Sequence, residues 1–244
     1  MSFQNSPLSG GTKNIIITGA SKGLGKAIAE KYAAAGHHLI ICSRTEEKLF
    51  STKQELLQKN AKCKVEMMAI DLSNKDNVIE FGKFCLMFGS PDILINNAGS
   101  FLPGSIHEEQ EGVLEKMMES NLYSAYHLTR ILLPKMMETK SGHIFNMCSV
   151  ASVAAYPNGG SYSLSKFALL GLTKNLREEM KQYNIKVTAI IPGAAYTDSW
   201  SESELNEDRF MTPNDIAEMV YTASMLSQHA CVEEILLRPQ LGDL

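Results

Sequence analysis

Short runs of Ile, Leu and Val alternate along the chain with longer stretches in which apolar residues recur every three or four positions. The short runs fall at 14–18, 38–42, 64–70, 92–95, 143–147, 186–191 and 234–238 and are nearly continuous in apolar side chains. Such runs predict strands covered on both faces, as in a parallel sheet. The longer stretches predict helices at about 24–35, 46–59, 75–87, 121–137, 161–183 and 213–227, with a shorter element at 112–118 leading into the fourth. Leu24, Ala27, Ile28, Tyr32 and Ala35 form the stripe of the first helix. Strand and helix in alternation predict an α/β fold with a doubly wound parallel sheet.

No linker, charge block or repeat divides the chain, so one domain is expected over 12–244. Residues 1–11 are polar, hold Pro7, Gly10 and Gly11, and read as a loose lead-in. Thr212-Pro213-x-Asp215 reads as a helix start. The stretch 196–211 is polar, acidic and irregular, and follows Pro192-Gly193. A lid over a site is expected there, because long irregular insertions in compact domains are often functional.

Composition narrows the classes. At 244 residues the chain can bury a large core without disulfides or metal. A net charge of −4 gives no global basic field for nucleic acid. The five cysteines, at 42, 63, 85, 148 and 231, form no CxxC pair and are odd in number. No disulfide framework and no metal site is expected, and the reducing cytoplasm is the expected compartment. No apolar run approaches the roughly 20 residues of a membrane-spanning helix.

The first strand runs into Thr18-Gly19-Ala20-Ser21-Lys22-Gly23-Leu24-Gly25, and a helix follows. Glycines allow a tight turn and bring backbone N–H groups to a phosphate, and the helix start favours that anion. Gly19, Ser21, Lys22, Gly23, Leu24 and Gly25 are therefore candidate cofactor ligands. The second strand ends in Cys42-Ser43-Arg44. An acid there would bind a ribose 2′-hydroxyl. Ser43 and Arg44, with Lys22, instead offer donors and charge to a 2′-phosphate, so NADP(H) is expected over NAD(H).

Tyr162 and Lys166 stand four apart, on one face of a helix. An ammonium beside a phenol is expected to lower its pKa and ready it for proton transfer to a developing alkoxide. Ser149 follows the fifth strand, at the end where open α/β sheets bind ligands, and could polarise a carbonyl. Asn97, Ala98 and Gly99 follow the fourth strand and would let backbone approach the cofactor. Asn121 opens or interrupts a long helix and could hold a water linking Lys166 to solvent. Pro192, Gly193 and Thr197 could contact a nicotinamide carboxamide, and Phe101, Met147, Tyr156, Tyr196 and Trp200 could line a stacking pocket.

These marks, with Asp71-Leu72 and YSLSK at 162–166, resemble the short-chain dehydrogenase/reductase family over about residues 12–240. The resemblance implies a seven-stranded parallel sheet of order 3-2-1-4-5-6-7 and a catalytic tetrad of Asn121, Ser149, Tyr162 and Lys166. It further implies that Asp71 contacts the adenine, that Lys166 also holds the nicotinamide ribose, and that members pair through their two longest helices, giving a homodimer or homotetramer. The stretches 141–152, 192–200 and 231–244 are similar to bacterial sepiapterin reductases. Eukaryotic sepiapterin reductases anchor the pterin through an acid near the C-terminus, and the nearest here is Asp243. The leading expectation is an NADPH-dependent carbonyl reductase acting on sepiapterin or a similar small diketone, with Ser149, Tyr156, Tyr162, Tyr196 and Trp200 at the substrate. The alternative is a 3-oxoacyl-[acyl-carrier-protein] reductase, whose acidic partner would need a basic patch; 135–143 offers Lys135 and Lys140 but also Glu138. A non-catalytic NADP(H) sensor is a third reading, although such proteins typically lose the Tyr or Lys kept here.

Overall fold

Three consecutive isoleucines, Ile15 to Ile17, make the centre of strand β1 (Asn14–Thr18), and none is exposed. Branching at Cβ suits them to a pleated surface packed on both sides. The structure, a computed structural model, describes residues 11–197 and 205–244. The expected lead-in is outside the described residues save for Gly11, and so are 198–204 of the expected lid, with Trp200.

Strand β1 lies at the middle of a seven-stranded sheet of order β3-β2-β1-β4-β5-β6-β7. The others are β2 (His38–Ser43), β3 (Lys64–Ala69), β4 (Ile93–Asn96), β5 (Gly142–Met147), β6 (Ile185–Pro192) and β7 (Glu234–Leu237), and every pairing is parallel. Alternation along β1 sends Ile15 and Ile17 to one layer and Ile16 to the other. The first layer is α1 (Gly23–Ala34), α2 (Glu46–Lys59) and α7 (Pro213–Ser224), which contribute Ile28, Leu49 and Val220. The second is α3 (Lys75–Leu86), α5 (Ser124–Thr139) and α6 (Gly160–Met180), which contribute Phe81, Leu132 and Leu176.

The start of α7 is as expected: Thr212 and Asp215 cap each other reciprocally, with Pro213 in the first turn. The helix expected from 121 begins earlier. α4 (Val113–Met118) runs into a π-helical turn at Glu119–Tyr123 and on into α5, so Asn121 sits inside a continuous helix. Part of the expected lid is packed, because Ala195 bridges to Met211, and Phe210 and Met211 are buried.

A line of buried amides and hydroxyls crosses the second layer. Asn96 Nδ2 on β4 donates to Thr129 Oγ1 on α5 (3.0 Å) and to Asn146 Oδ1 on β5 (2.8 Å). Asn146 Nδ2 then donates to Thr173 Oγ1 on α6 (2.9 Å), and Thr173 to the Leu169 carbonyl (2.7 Å). Beside it, His143 on β5 is buried and stacks on Phe145, with Nε2 2.7 Å from Thr188 Oγ1 on β6.

Candidate active site

A cleft of about 650 Å³ opens at the carboxyl ends of the central strands. The order of strands reverses beside β1, and ligands of open α/β sheets bind at such a point. The first wall is the turn from β1 to α1. Gly19 and Gly23 have φ of +66° and +53°, where glycine carries no steric penalty. A side chain at Gly25 would put Cβ 2.5 Å from Asn97 Nδ2 and against the Gly19 carbonyl. Gly25 therefore shapes the wall from behind and does not line the cleft. Asn97 ties the turn to β4, donating from Nδ2 to the carbonyls of Thr18 (2.9 Å) and Gly19 (3.1 Å). Among the described residues, no side chain caps the start of α1, and its first turn holds no acid. Its leading N–H groups thus point to the cleft without a side-chain acceptor, the arrangement helix starts offer to anions.

One end of the cleft is basic. Lys22, Ser43 and Arg44 line it with Thr45 and Lys48, and Asp71 and Leu72 lie alongside. Asn97, Ala98, Gly99, Pro192, Gly193 and Thr197 line the middle.

Ser149, Tyr162 and Lys166 meet at the centre of the cleft. Ser149 caps a one-turn 3₁₀ helix, where its Oγ accepts from Ala151 N at 3.1 Å. The accepted bond leaves the Ser149 O–H as a donor into the cleft. Lys166 Nζ is buried, donates to the Met147 carbonyl at 2.7 Å and lies 5.8 Å from the centre of the Tyr162 ring. Burial pushes its pKa down to about 8.

The expected lowering of the Tyr162 pKa is not found. Burial raises it, and a hydrogen bond from Ser149 offsets only part of that. Removing water from around a phenolate outweighs the single donor that faces it. Asn121 is buried and stands behind the cleft lining. Its Oδ1 accepts from Ser100 N at 2.7 Å, and its Nδ2 donates to the Ser100 carbonyl (3.0 Å) and to Ser165 Oγ (2.9 Å). A Cβ on Gly99 would lie 2.7 Å from Asn121 Oδ1 and 3.7 Å from Lys166 Nζ, so glycine leaves room for Asn121 on this side of the lysine. π-turns of this kind recur at functional sites because they re-aim one side chain out of helical register.

Among the candidate substrate residues, Phe101, Met147 and Tyr156 line the cleft. Tyr196 does not. The Ala195–Met211 bridge turns it onto Phe210, beside a smaller cavity of about 290 Å³ bordered by Gly23 and Pro213.

The family model for short chain dehydrogenases matches residues 13–208. The chain belongs to the short-chain dehydrogenase family. A sepiapterin reductase of Chlorobaculum tepidum is 34% identical, with 94% of this chain and 97% of that protein covered. An uncharacterized oxidoreductase of Staphylococcus saprophyticus is 32% identical over 93% of this chain and 97% of its own. A metagenomic short-chain oxidoreductase in complex with NADP has a TM-score of 0.82 at 31% identity, covering 93% of this chain and 97% of that one. An alcohol dehydrogenase from the archaeon Thermococcus sibiricus, complexed with 5-hydroxy-NADP, has a TM-score of 0.87 at 29% identity, covering 94% and 97%.

Sequence reasoning missed part of this dehydrogenase's cleft. Lys48, in the first turn of α2 and four residues past Arg44, also lines it, a spacing that could have flagged it. Arg238 and Leu244 line it too, beside Asp243, the acid named from the sequence; Arg238 pairs with Asp243, and Pro239 packs within reach of Gly193. Among the described residues, no cluster of three or more His, Cys, Asp or Glu is placed to hold a metal, and no helix is long and apolar enough to cross a membrane.

Proposed function

We propose that this chain is an NADPH-dependent carbonyl reductase acting on a small ketone, with sepiapterin as the leading substrate. The observation that carries the reading is the meeting of Ser149, Tyr162 and Lys166 in a cleft whose far end is basic. The residues fit the cofactor. The glycine turn and the uncapped start of α1 suit its pyrophosphate, and Lys22, Ser43, Arg44 and Lys48 suit a 2′-phosphate. Asp71 and Leu72, in the same cleft, would meet the adenine, and Asn97 to Gly99 with Pro192, Gly193 and Thr197 would lie along the nicotinamide half. The NADP complexes of the two structural neighbours support the same cofactor here.

NADPH supplies a hydride when bound. The Ser149 and Tyr162 hydroxyls donate hydrogen bonds to the carbonyl oxygen and stabilise its growing negative charge. The raised pKa of Tyr162 keeps the phenol protonated at rest, so the proton is in place when the alkoxide forms. Tyr162 passes that proton to oxygen, and the phenolate left behind is held by Ser149 and the Lys166 ammonium. The proton returns to Tyr162 by way of Lys166.

The relative in Chlorobaculum tepidum supports a pterin substrate, and the Asp243 carboxylate at the cleft's end could receive a ring N–H. Exposed apolar residues on the two longest helical segments, Leu114, Tyr123, Leu164 and Phe167 among them, support a homodimer or homotetramer. Five unpaired thiols fit the cytoplasm.

The test follows NADPH oxidation with sepiapterin, 2,3-butanedione and acetoacetyl-coenzyme A. Turnover of sepiapterin and not the thioester is expected. Turnover of the thioester alone moves the substrate to acyl chains, and no turnover of any carbonyl refutes the reductase. Tyr162→Phe is expected to bind NADPH normally and lose on the order of 10²-fold or more in kcat.

A further inference from the structure

The helix that carries Tyr162 and Lys166 begins without a cap of its own. Gly159 and Gly160 open it, and its first turn holds no acidic side chain. The leading N–H groups of a helix need acceptors from elsewhere. One comes from 52 residues earlier: Glu109 Oε1 accepts from Ser161 N at 2.8 Å, and Glu109 Oε2 accepts from the Ser161 hydroxyl. A carboxylate there also meets the positive end of the helix dipole. Two glycines make the approach possible. A Cβ at Gly104 would lie 2.9 Å from Glu109 Cγ, and one at Gly160 would collide with Glu109 Oε1.

The segment holding Glu109 touches the reacting groups at its other end as well. Ser100 N donates to Asn121 Oδ1 at 2.7 Å, and the Phe101 ring meets the Tyr162 ring edge-on at 4.8 Å. Between these points, Gly104 N donates to the Asn158 carbonyl (3.0 Å) and Ser105 Oγ to Asn158 Oδ1 (2.7 Å). Residues 100–109 thus grip Tyr162 from two sides, by its ring and by the backbone just before it. Glu109 does not line the cleft, so whatever it does passes through Ser161.

We propose that Glu109 is a positioning residue that fixes the direction of the Tyr162 hydroxyl by capping α6, an inference that rests on Tyr162 as the proton donor. Freed of the cap, the first turn of α6 frays and the phenol loses its alignment with Ser149. A misplacement of about 1 Å in such a group can cost on the order of a hundredfold in rate.

The test compares Glu109→Ala, Glu109→Gln and Tyr162→Phe in the full chain with NADPH and whichever of the three carbonyls above the parent reduces fastest. NADPH binding is read by fluorescence, and the opening of 160–165 by hydrogen exchange. Glu109→Ala is expected to lower kcat on the order of tenfold to a hundredfold, to leave NADPH affinity within about twofold and to speed exchange. Glu109→Gln keeps an acceptor for the Ser161 N–H and is expected to recover most of the rate. A parental kcat in Glu109→Ala overturns the proposal, even where exchange is faster, because Glu109 would then be a structural cap alone. Should Glu109→Ala fail to fold, Glu109→Met, which fills much of the same space and offers the Ser161 N–H no carboxylate, replaces it with the same readings. A dead Tyr162→Phe beside a fully active Glu109→Ala sinks the positioning role only, whereas an active Tyr162→Phe sinks the catalytic reading beneath it.

Discussion

Acid should destabilise this protein through His143. The ring is 4% exposed and stacks on Phe145. Thr188 gives its own hydroxyl proton to the Val232 carbonyl, so His143 Nε2 is the donor to Thr188 Oγ1. His143 Nδ1 has no partner and must stay bare. A second ring proton would be buried without an acceptor, and burial, with Lys186, Lys13 and Arg177 nearby, pushes the pKa down to about 3. In the unfolded chain the same group titrates near 6.5. Between those values the unfolded state binds the extra proton, so stability drops by about 1.4 kcal/mol for each unit the pH is lowered. The contribution is whole above about 6.5 and gone below about 3. Lowering the pH from 7 to 5 should remove about 2 kcal/mol through this residue alone. With a urea m-value near 3 kcal/mol/M, that moves the midpoint by roughly 0.7 M. His143→Gln keeps a donor near Thr188 and cannot be protonated in this range. Urea midpoints at pH 7, 6 and 5, at one protein concentration, give the parent-minus-variant difference, in which the other titrating groups cancel. Equal losses in parent and variant would refute the reasoning.

The cleft gives two further predictions. Arg44→Ser should raise KM for NADPH about 10- to 100-fold, the equivalent of one or two charge-assisted hydrogen bonds, and leave KM for NADH within about twofold; equal effects on both would remove Arg44 from the 2′-phosphate. Lys166, held near pKa 8 by burial, should be mostly charged at pH 7 and mostly neutral at pH 9. In side-chain-labelled protein without cofactor, one lysine NMR signal should titrate near 8 and vanish in Lys166→Met, and the idea fails if every lysine titrates above about 10.

Most of the fold could be read from the chain because the parallel sheet writes itself locally. A strand buried on both faces needs an unbroken apolar run, and Ile15-Ile16-Ile17 is one. Motifs that make one turn or one helix face, such as 18–25 and Tyr162 with Lys166, are equally local. What escaped depends on distance. Glu109 caps a helix 52 residues away, and Arg238 reaches the cleft only because β7 lies beside β6. The Tyr162 pKa was misjudged for the same reason: spacing reveals the nearby ammonium but not the depth of burial. Asn121 was expected to open or interrupt a helix, and the π-turn shows how a helix can be re-aimed without being broken.

The buried line from Thr129 through Asn96 and Asn146 to Thr173 acts as a key against misalignment. Apolar helices slide over an apolar sheet at modest cost, because one leucine contact replaces another. Here a slip of α6 by one residue would strip Asn146 and Thr173 of each other, and each stranded group costs about 1–3 kcal/mol. Lys166 and Thr173 stand seven residues apart on the same buried side of α6. Whatever locks Thr173 to the sheet therefore also sets how far along the strands the lysine sits.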